Sequence, residues 1–349
     1  ILPVLISPAT WALMIMSIST STIVTLSSNH WLLAWIGLEL NTLSILPIII
    51  KSNHPRATEA ATKYFLTQAA AAALIMFSSI LNAWKTGQWM IINMLPIPTS
   101  IATLAILLKL GLAPMHFWYP EVLQGSTMNT AMIISTWQKI APLSLLYLTM
   151  MNSPPEVLLT VGLTSTLIAG LAGMNQTQTR KIMAFSSIGH MGWMITMIPF
   201  NLSLVTLSLI MYMTLTIPMF FMLNTTTAIT LKDFSQSYIY TPTLTVTMMI
   251  ILMSLGGLPP LSGFMPKLLI LNMLTNFKLM LLASLMALTS LPTLFFYLRM
   301  TYITMLTSPP KTTNTQYKWR LKPNYQMNIT PLVLNSTMLL PMTPLLLYY

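Results

Sequence analysis

Four ionisable residues stand inside long apolar stretches where lipid is the expected solvent: Glu39, Lys109, Lys139 and Lys267. A charge at the centre of a bilayer costs about 2.5–3.5 kcal/mol on insertion scales and more in simulations. Four of them would be a heavy burden without a role. Snorkelling of a long lysine stem to the interface accounts for Lys63 and Lys278, near expected helix ends. It accounts in part for Lys267, about four residues from its expected helix end. It does not account for Lys109 or Lys139, about ten residues or more from either end.

A structural ion pair between Glu39 and one lysine is a second plain explanation. One carboxylate neutralises only one amine, so at least one interior lysine is then neutral or solvated. Removal from water favours the uncharged amine. Such a group can gain and lose a proton near neutral pH, which is the chemistry of a proton relay. His116, just after an expected helix break, and His190, mid-helix, are candidate further hops because imidazole titrates near 6.5. A lone helical histidine is more often a hydrogen-bonded packing residue. Glu121, at an expected helix end beside Pro120, reads equally as a solvated carboxylate or a proton-uptake group.

Other chemistries find no support. There are no cysteines, which removes disulfides, Cys-ligated zinc, iron–sulfur clusters and Cys nucleophiles together. His30, His54, His116 and His190 lie far apart and form neither HxxxH nor HExxH, so no metal site is expected. No GxGxxG or GxxxxGK[ST] loop supports nucleotide binding. The net charge of +11 could suggest nucleic acid, but in a membrane chain it more often reports loop orientation.

The elements that hold these residues are apolar helices. Of 349 residues, 55% are hydrophobic and 6% charged, with a mean hydropathy of +0.73; a soluble protein carries about a quarter charged residues. Stretches of the length a bilayer requires recur along nearly the whole chain. One all-α membrane domain of about eleven helices is expected, near 3–25, 31–50, 58–83, 96–121, 127–148, 155–173, 178–198, 203–227, 242–271, 277–302 and 326–347. The first stretch, Pro3 to Thr25, lacks a basic n-region and is long enough to span, so it reads as a helix rather than a cleaved leader. Connections are short and carry breakers such as Asn152-Ser153-Pro154-Pro155 and Pro309-Pro310; the longest, roughly Thr304 to Tyr325, is polar and basic. Alternate loops gather Lys51, Arg56, Arg180, Lys181, Lys232, Lys311, Lys318, Arg320 and Lys322 on one side, and only Lys85 and Lys278 on the other. This asymmetry puts the basic side, with the N-terminus, in the cytoplasm or mitochondrial matrix. Trp11, Trp31, Trp89 and Trp118 read as interfacial anchors, and the methionines as packing.

Two of these helices share a pattern. Gly111-Leu112-Ala113-Pro114 with Pro120-Glu121, and Gly257-Leu258-Pro259-Pro260 with Pro266-Lys267, are offset by 146 throughout. Proline removes a backbone donor and clashes with the preceding turn, so each helix should break. Hydrocarbon cannot satisfy the freed groups, and a break is tolerated only against protein or a wet cavity. Five helices separate the copies, so they run in opposite directions. That is the signature of inverted repeats with discontinuous helices: repeat one about 3–148, repeat two about 155–302, and a C-terminal helix about 326–347.

Four strings are long and unusual: WLLAWIGLELNT (31–42), KYFLTQA (63–69), LGLAPMHFW (110–118) and GGLPPLSGF (256–264). They closely resemble the chain 2 family of NADH–ubiquinone oxidoreductase in its vertebrate mitochondrial form. The resemblance covers essentially the whole chain, and the 31 methionines fit a gene whose code reads an extra codon as Met. The opening Ile1 stands where the family has Met and touches no site. The resemblance implies an antiporter-like subunit of the membrane arm of respiratory complex I, moving protons from matrix to intermembrane space. It implies a mitochondrial inner-membrane chain shortened by three N-terminal helices relative to bacterial forms, with its N-terminus in the matrix and its C-terminus in the intermembrane space. Within the family pattern Glu39 matches the mobile carboxylate, Lys109 its lysine partner, Lys139 the central lysine and Lys267 the distal charge. No cofactor is implied in this chain; NAD, FMN, iron–sulfur clusters and ubiquinone belong elsewhere in the complex. Implied partners are other membrane-arm subunits, including neighbouring antiporter-like chains, accessory subunits, and phospholipids such as cardiolipin. Two rival functions keep the same fold: a stand-alone sodium–proton antiporter, and a non-conducting structural spacer whose charges are internal glue.

Overall fold

The computed structural model describes residues 8–51, 54–150, 152–234 and 242–306, with 330, 333, 336 and 337. Among these residues the named elements are all helices. Six are long and apolar enough to cross a membrane: α1 (Pro8–Ser27), α2 (Trp31–Ile50), α3 (Pro55–Thr86), α8 (Pro155–Met174), α10 (Leu202–Thr226) and α13 (Met280–Leu306). Most of the expected helix 326–347 and of the loop before it, with Lys311, Lys318, Arg320 and Lys322, lies outside the described residues.

Two of the four histidines have local jobs. The His30 ring nitrogen accepts the Leu32 amide (3.1 Å) and the His54 ring nitrogen accepts the Arg56 amide (3.2 Å), capping α2 and α3. Each satisfies one of the amides that a helix start leaves without a partner.

Both expected helix breaks are present. The first divides α4 (Pro96–Leu110) from α5 (Trp118–Gly125), and the second divides α11 (Pro242–Gly256) from α12 (Phe264–Asn276). The two breaks begin alike. Gly111 has φ +74 and Gly257 φ +84, the left-handed conformation that glycine adopts without a Cβ penalty. The Leu112 amide turns back to the Leu107 carbonyl (3.2 Å), and the Leu258 amide to the Met253 carbonyl (3.4 Å). The pairs 107/253, 111/257, 112/258 and 118/264 all differ by 146, so the offset seen in sequence is reproduced in backbone geometry.

The expected single helix 127–148 is corrected to three pieces: α6 (Met128–Ser135), a 3-10 turn (Trp137–Lys139) and α7 (Ile140–Thr149). The cause is Pro142, which has no N–H to give the carbonyl of Gln138 and whose ring would crowd it in an α-helix. The chain departs from α geometry just before that carbonyl, at Thr136 (φ −111, ψ −71).

The chain divides into two compact units, Ile1–Ser165 and Thr166–Tyr349. In the first, α2 packs on α1 and α3, α3 on α4 and α5, and α7 on α4. In the second, α10 packs on α9 (Thr179–Met197), α11 and α12, and α13 packs on α11, α12 and α9. Large apolar side chains such as Leu13, Leu66, Trp84, Leu281 and Leu291 remain exposed on the helices, as a surface facing hydrocarbon requires. The expectation that Trp31 and Trp118 are interfacial anchors is corrected. Trp31 is fully buried, and Trp118 is buried between α3 and α5, where its ring meets Tyr64 edge-on at 5.8 Å. Trp11 keeps an anchoring contact, its ring beneath the Lys51 amine at 4.1 Å.

Candidate functional site

The first unit holds a small cavity of about 20 Å³, lined by residues of α2, α3, α4, α5, α6, the 3-10 turn and α7, and large enough for water. Lys109 and Lys139 both face it, the first from the last turn of α4 and the second from the 3-10 turn. Their side chains are 6% and 3% exposed. Burial this deep makes an ammonium expensive unless it is hydrogen-bonded. The Lys109 amine has no hydrogen-bond partner among the described residues. The Lys139 amine stands over the Tyr119 ring at 5.1 Å, within cation–π reach.

The remaining walls are polar at chosen points. The Gln68 amide donates to the Lys109 carbonyl (3.4 Å), and the Gln138 amide donates to Asn41 Oδ1 (2.8 Å). The Tyr64 hydroxyl reaches Gln138 Oε1 at 3.5 Å. These residues carried no assignment from sequence. The available signal was their position: Asn41 two residues after Glu39, Gln138 next to Lys139, and Gln68 in the middle of an apolar span.

Glu39 is half-buried and stands beside this cavity rather than in its wall. Its carboxylate accepts from the hydroxyl of Thr42 (3.2 Å), which does line the cavity. Among the described residues Glu39 makes no ion pair with Lys109, the lysine that the family resemblance gives it as a partner; it acts on Lys109 and Tyr64 through space. His116, likewise buried, is not among the lining residues. Its Nδ1 is 3.3 Å from the Pro114 carbonyl and its ring packs on Phe117 at 4.4 Å.

Among the described residues the ion pairs lie near the exposed N-terminal end of α3. Lys63 bridges Glu59 (2.5 Å) and Glu121 (2.6 Å), all three substantially exposed. Lys63 is thus paired at the exposed helix end to which snorkelling would carry its amine, and Glu121 belongs to the first turn of α5, where a carboxylate suits the helix dipole.

The second unit contains the other lysine. Lys267 is in the first turn of α12, and the C-terminal helix end expected about four residues beyond it lies instead at Asn276. Its amine reaches back over the break to donate to the Gly256 carbonyl (2.8 Å). Lys267 and His190 together line two small cavities of about 10 and 20 Å³, and the His190 ring lies 5.6 Å from that of Tyr212. Sequence candidates thus assemble in pairs, Lys109 with Lys139 and Lys267 with His190. Among the described residues no cluster of three or more metal-ligating side chains occurs.

Comparison with known proteins places this architecture. Residues 28–293 match the family described as NADH:quinone oxidoreductase/Mrp antiporter, TM, and residues 294–347 match NADH dehydrogenase subunit 2 C-terminus. NADH-ubiquinone oxidoreductase chain 2 of Xenopus laevis is 49% identical over 347 residues, covering 98% of this chain and 99% of the relative. The protein of that name from Sus scrofa is 44% identical over 342 residues, covering 97% and 99%. A chain of respiratory complex I from Thermus thermophilus, solved with bound Aureothin, superposes with a TM-score of 0.83 at 26% identity, covering 97% of this chain and 78% of that one. At 15% identity, a chain of the archaeal membrane-bound sulfane sulfur reductase shares the fold, with a TM-score of 0.79 over 99% of this chain and 76% of the other.

Proposed function

This chain belongs to the NADH–ubiquinone oxidoreductase chain 2 family, antiporter-like membrane subunits of respiratory complex I, and from that premise we propose that it carries protons from matrix to intermembrane space while NADH is oxidised and ubiquinone reduced in other subunits. The observation that carries the reading is the shared cavity of Lys109 and Lys139, two deeply buried amines around a space large enough for water.

Glu39 is the movable charge. Lys109, whose amine lacks a partner among the described residues, exchanges protons with the cavity as the Glu39 charge is filled or emptied. Lys139 holds the transported proton, stabilised by the face of Tyr119. Lys267 passes it on or resets the relay, with His190 beside it, and His116 is a reserve hop at the first break. Electrons and their carriers, NAD, FMN, iron–sulfur clusters and ubiquinone, belong to the rest of the complex; the absence of any Cys from the chain fits that division.

The wider architecture follows from the same reading. Eleven spans form two inverted repeats, about 3–148 and 155–302, with a C-terminal helix about 326–347. The matched geometry of the two breaks supports this arrangement. The N-terminus lies in the matrix of the mitochondrial inner membrane and the C-terminus in the intermembrane space, in keeping with the loop charges. Neighbouring antiporter-like chains and accessory subunits cover its faces, and anionic phospholipids such as cardiolipin meet its basic loops.

The test is proton translocation per electron in proteoliposomes holding the intact complex with Lys139→Met, assembly and NADH oxidation being checked in the same sample. A lower ratio in an assembled complex is the expected result. An unchanged ratio would favour the spacer. Sodium flux through the chain without NADH or partner subunits would favour the stand-alone antiporter.

A further inference from the structure

We propose that the Asn41–Gln138 amide pair is a positioning device for Lys139, and that Gln138 is its working half. This rests on the proton-transfer reading and names what aims its central lysine. Three observations converge on the pair.

The first is the bond itself. Gln138 Nε2 donates to Asn41 Oδ1 at 2.8 Å, tying the 3-10 turn to α2, the helix that also carries Glu39. Asn41 is 2% exposed, and both amides line the cavity that Lys109 and Lys139 face.

The second is the local backbone. Pro142 offers no N–H to the Gln138 carbonyl, so the ladder that would orient this segment in an α-helix is interrupted at the point where Lys139 sits. Only the 3-10 bonds of the turn remain, Lys139 N–H to the Thr136 carbonyl (3.3 Å) and Ile140 N–H to that of Trp137, and the side-chain tie adds a fixed point on α2.

The third is the turn geometry. Successive residues of a 3-10 helix point about 120° apart. Fixing Gln138 toward α2 therefore fixes the direction of Lys139, which leaves the turn toward Tyr119 on α5. The titratable groups around the pair are Glu39 on α2, beside the cavity, with Tyr64 on α3, Lys109 on α4, Tyr119 on α5 and Lys139 itself. The amides do not titrate, so the bond persists while the lysines change charge.

The test compares Gln138→Leu with the exchanged pair Asn41→Gln plus Gln138→Asn, in the intact complex reconstituted in proteoliposomes. NADH-driven proton uptake and its pH profile are the readouts. Gln138→Leu should slow uptake about fivefold, the factor for one neutral hydrogen bond, with a displaced pH optimum. The exchanged pair should recover most of the rate and the original profile. Wild-type uptake and profile in Gln138→Leu, or an exchanged pair as impaired as Gln138→Leu, would overturn the inference. Should Gln138→Leu not assemble, Asn41→Ala breaks the same bond from the other side and is read by the same two criteria. A complex that needs Lys139 but ignores Gln138→Leu rejects this inference alone. One that pumps normally without the Lys139 amine rejects the parent reading.

Discussion

Lys267 lies across the break that its own helix follows, its Nζ 2.8 Å from the Gly256 carbonyl and its stem against Gly257. A Cβ at Gly257 would stand 3.0 Å from that Nζ and 3.1 Å from Cδ. The second broken helix is therefore open at one residue, and the lysine occupies the opening.

Gly257→Ala should consequently disturb both stability and transport. It forces a side chain into φ +84, a strain of roughly 1–2 kcal/mol, and it displaces Lys267. Gly87→Ala is the control: Gly87 also has positive φ, +70, but has nothing within 4 Å of the added carbon. Melting temperature of the assembled complex should fall in both variants, and proton uptake per NADH only in Gly257→Ala.

Pro142→Ala should have the opposite balance. It restores an amide that can bond the Gln138 carbonyl and lets the α ladder close through Lys139. The assembled complex should melt no lower than the parent. Proton uptake should fall, because a continuous helix turns Lys139 away from its place over Tyr119. Uptake equal to the parent would show that the 3-10 turn is incidental to transport.

Lys63 offers a test of the outer ion pairs. Both partners are exposed, so Glu59→Gln or Glu121→Gln should each change the stability of the assembled complex little, and less still in high salt. Lys63→Glu brings three carboxylates together and should be the damaging variant at low ionic strength. Thermal scans at two salt concentrations would show it.

Asp233, in the connection after α10, predicts a pH effect. Its carboxylate accepts the Thr230 amide (2.8 Å) and the Ile229 amide (3.3 Å), and these bonds, Thr230 foremost, hold its pKa below the usual carboxylate value. Because the folded value is the depressed one, the contribution is present above the unfolded value of about 3.9 and is lost as pH falls through the folded value. Hydrogen exchange at Ile229 and Thr230, corrected for intrinsic rate, should rise below about pH 4. In Asp233→Asn that step should vanish.

The sequence by itself determined the solvent, the class and the breaks. Apolar runs of spanning length can be satisfied only as helices in lipid. The paired Gly-Pro strings had to interrupt two of them, because proline withdraws a donor wherever it stands. The mid-span lysines were visible for the same reason, as charges that composition alone makes costly. Pro142 carried a signal of the same kind, yet a single proline can also sit in a kinked or continuous helix, as Pro47 and Pro218 do. Neighbours decide between those outcomes.

Tertiary structure alone decided which groups meet. That Lys109 and Lys139 share a cavity depends on α4 packing against α7, and that Gln138 bonds Asn41 depends on α2 lying beside the same turn. Glu39 was legible as a buried acid but not as one held by Thr42 instead of a lysine, and Trp118 was not legible as a buried cavity wall. Periodicity and residue type report how each helix meets its solvent. They do not report the rotation and approach of one helix against another, which are set by packing contacts between residues distant in the chain.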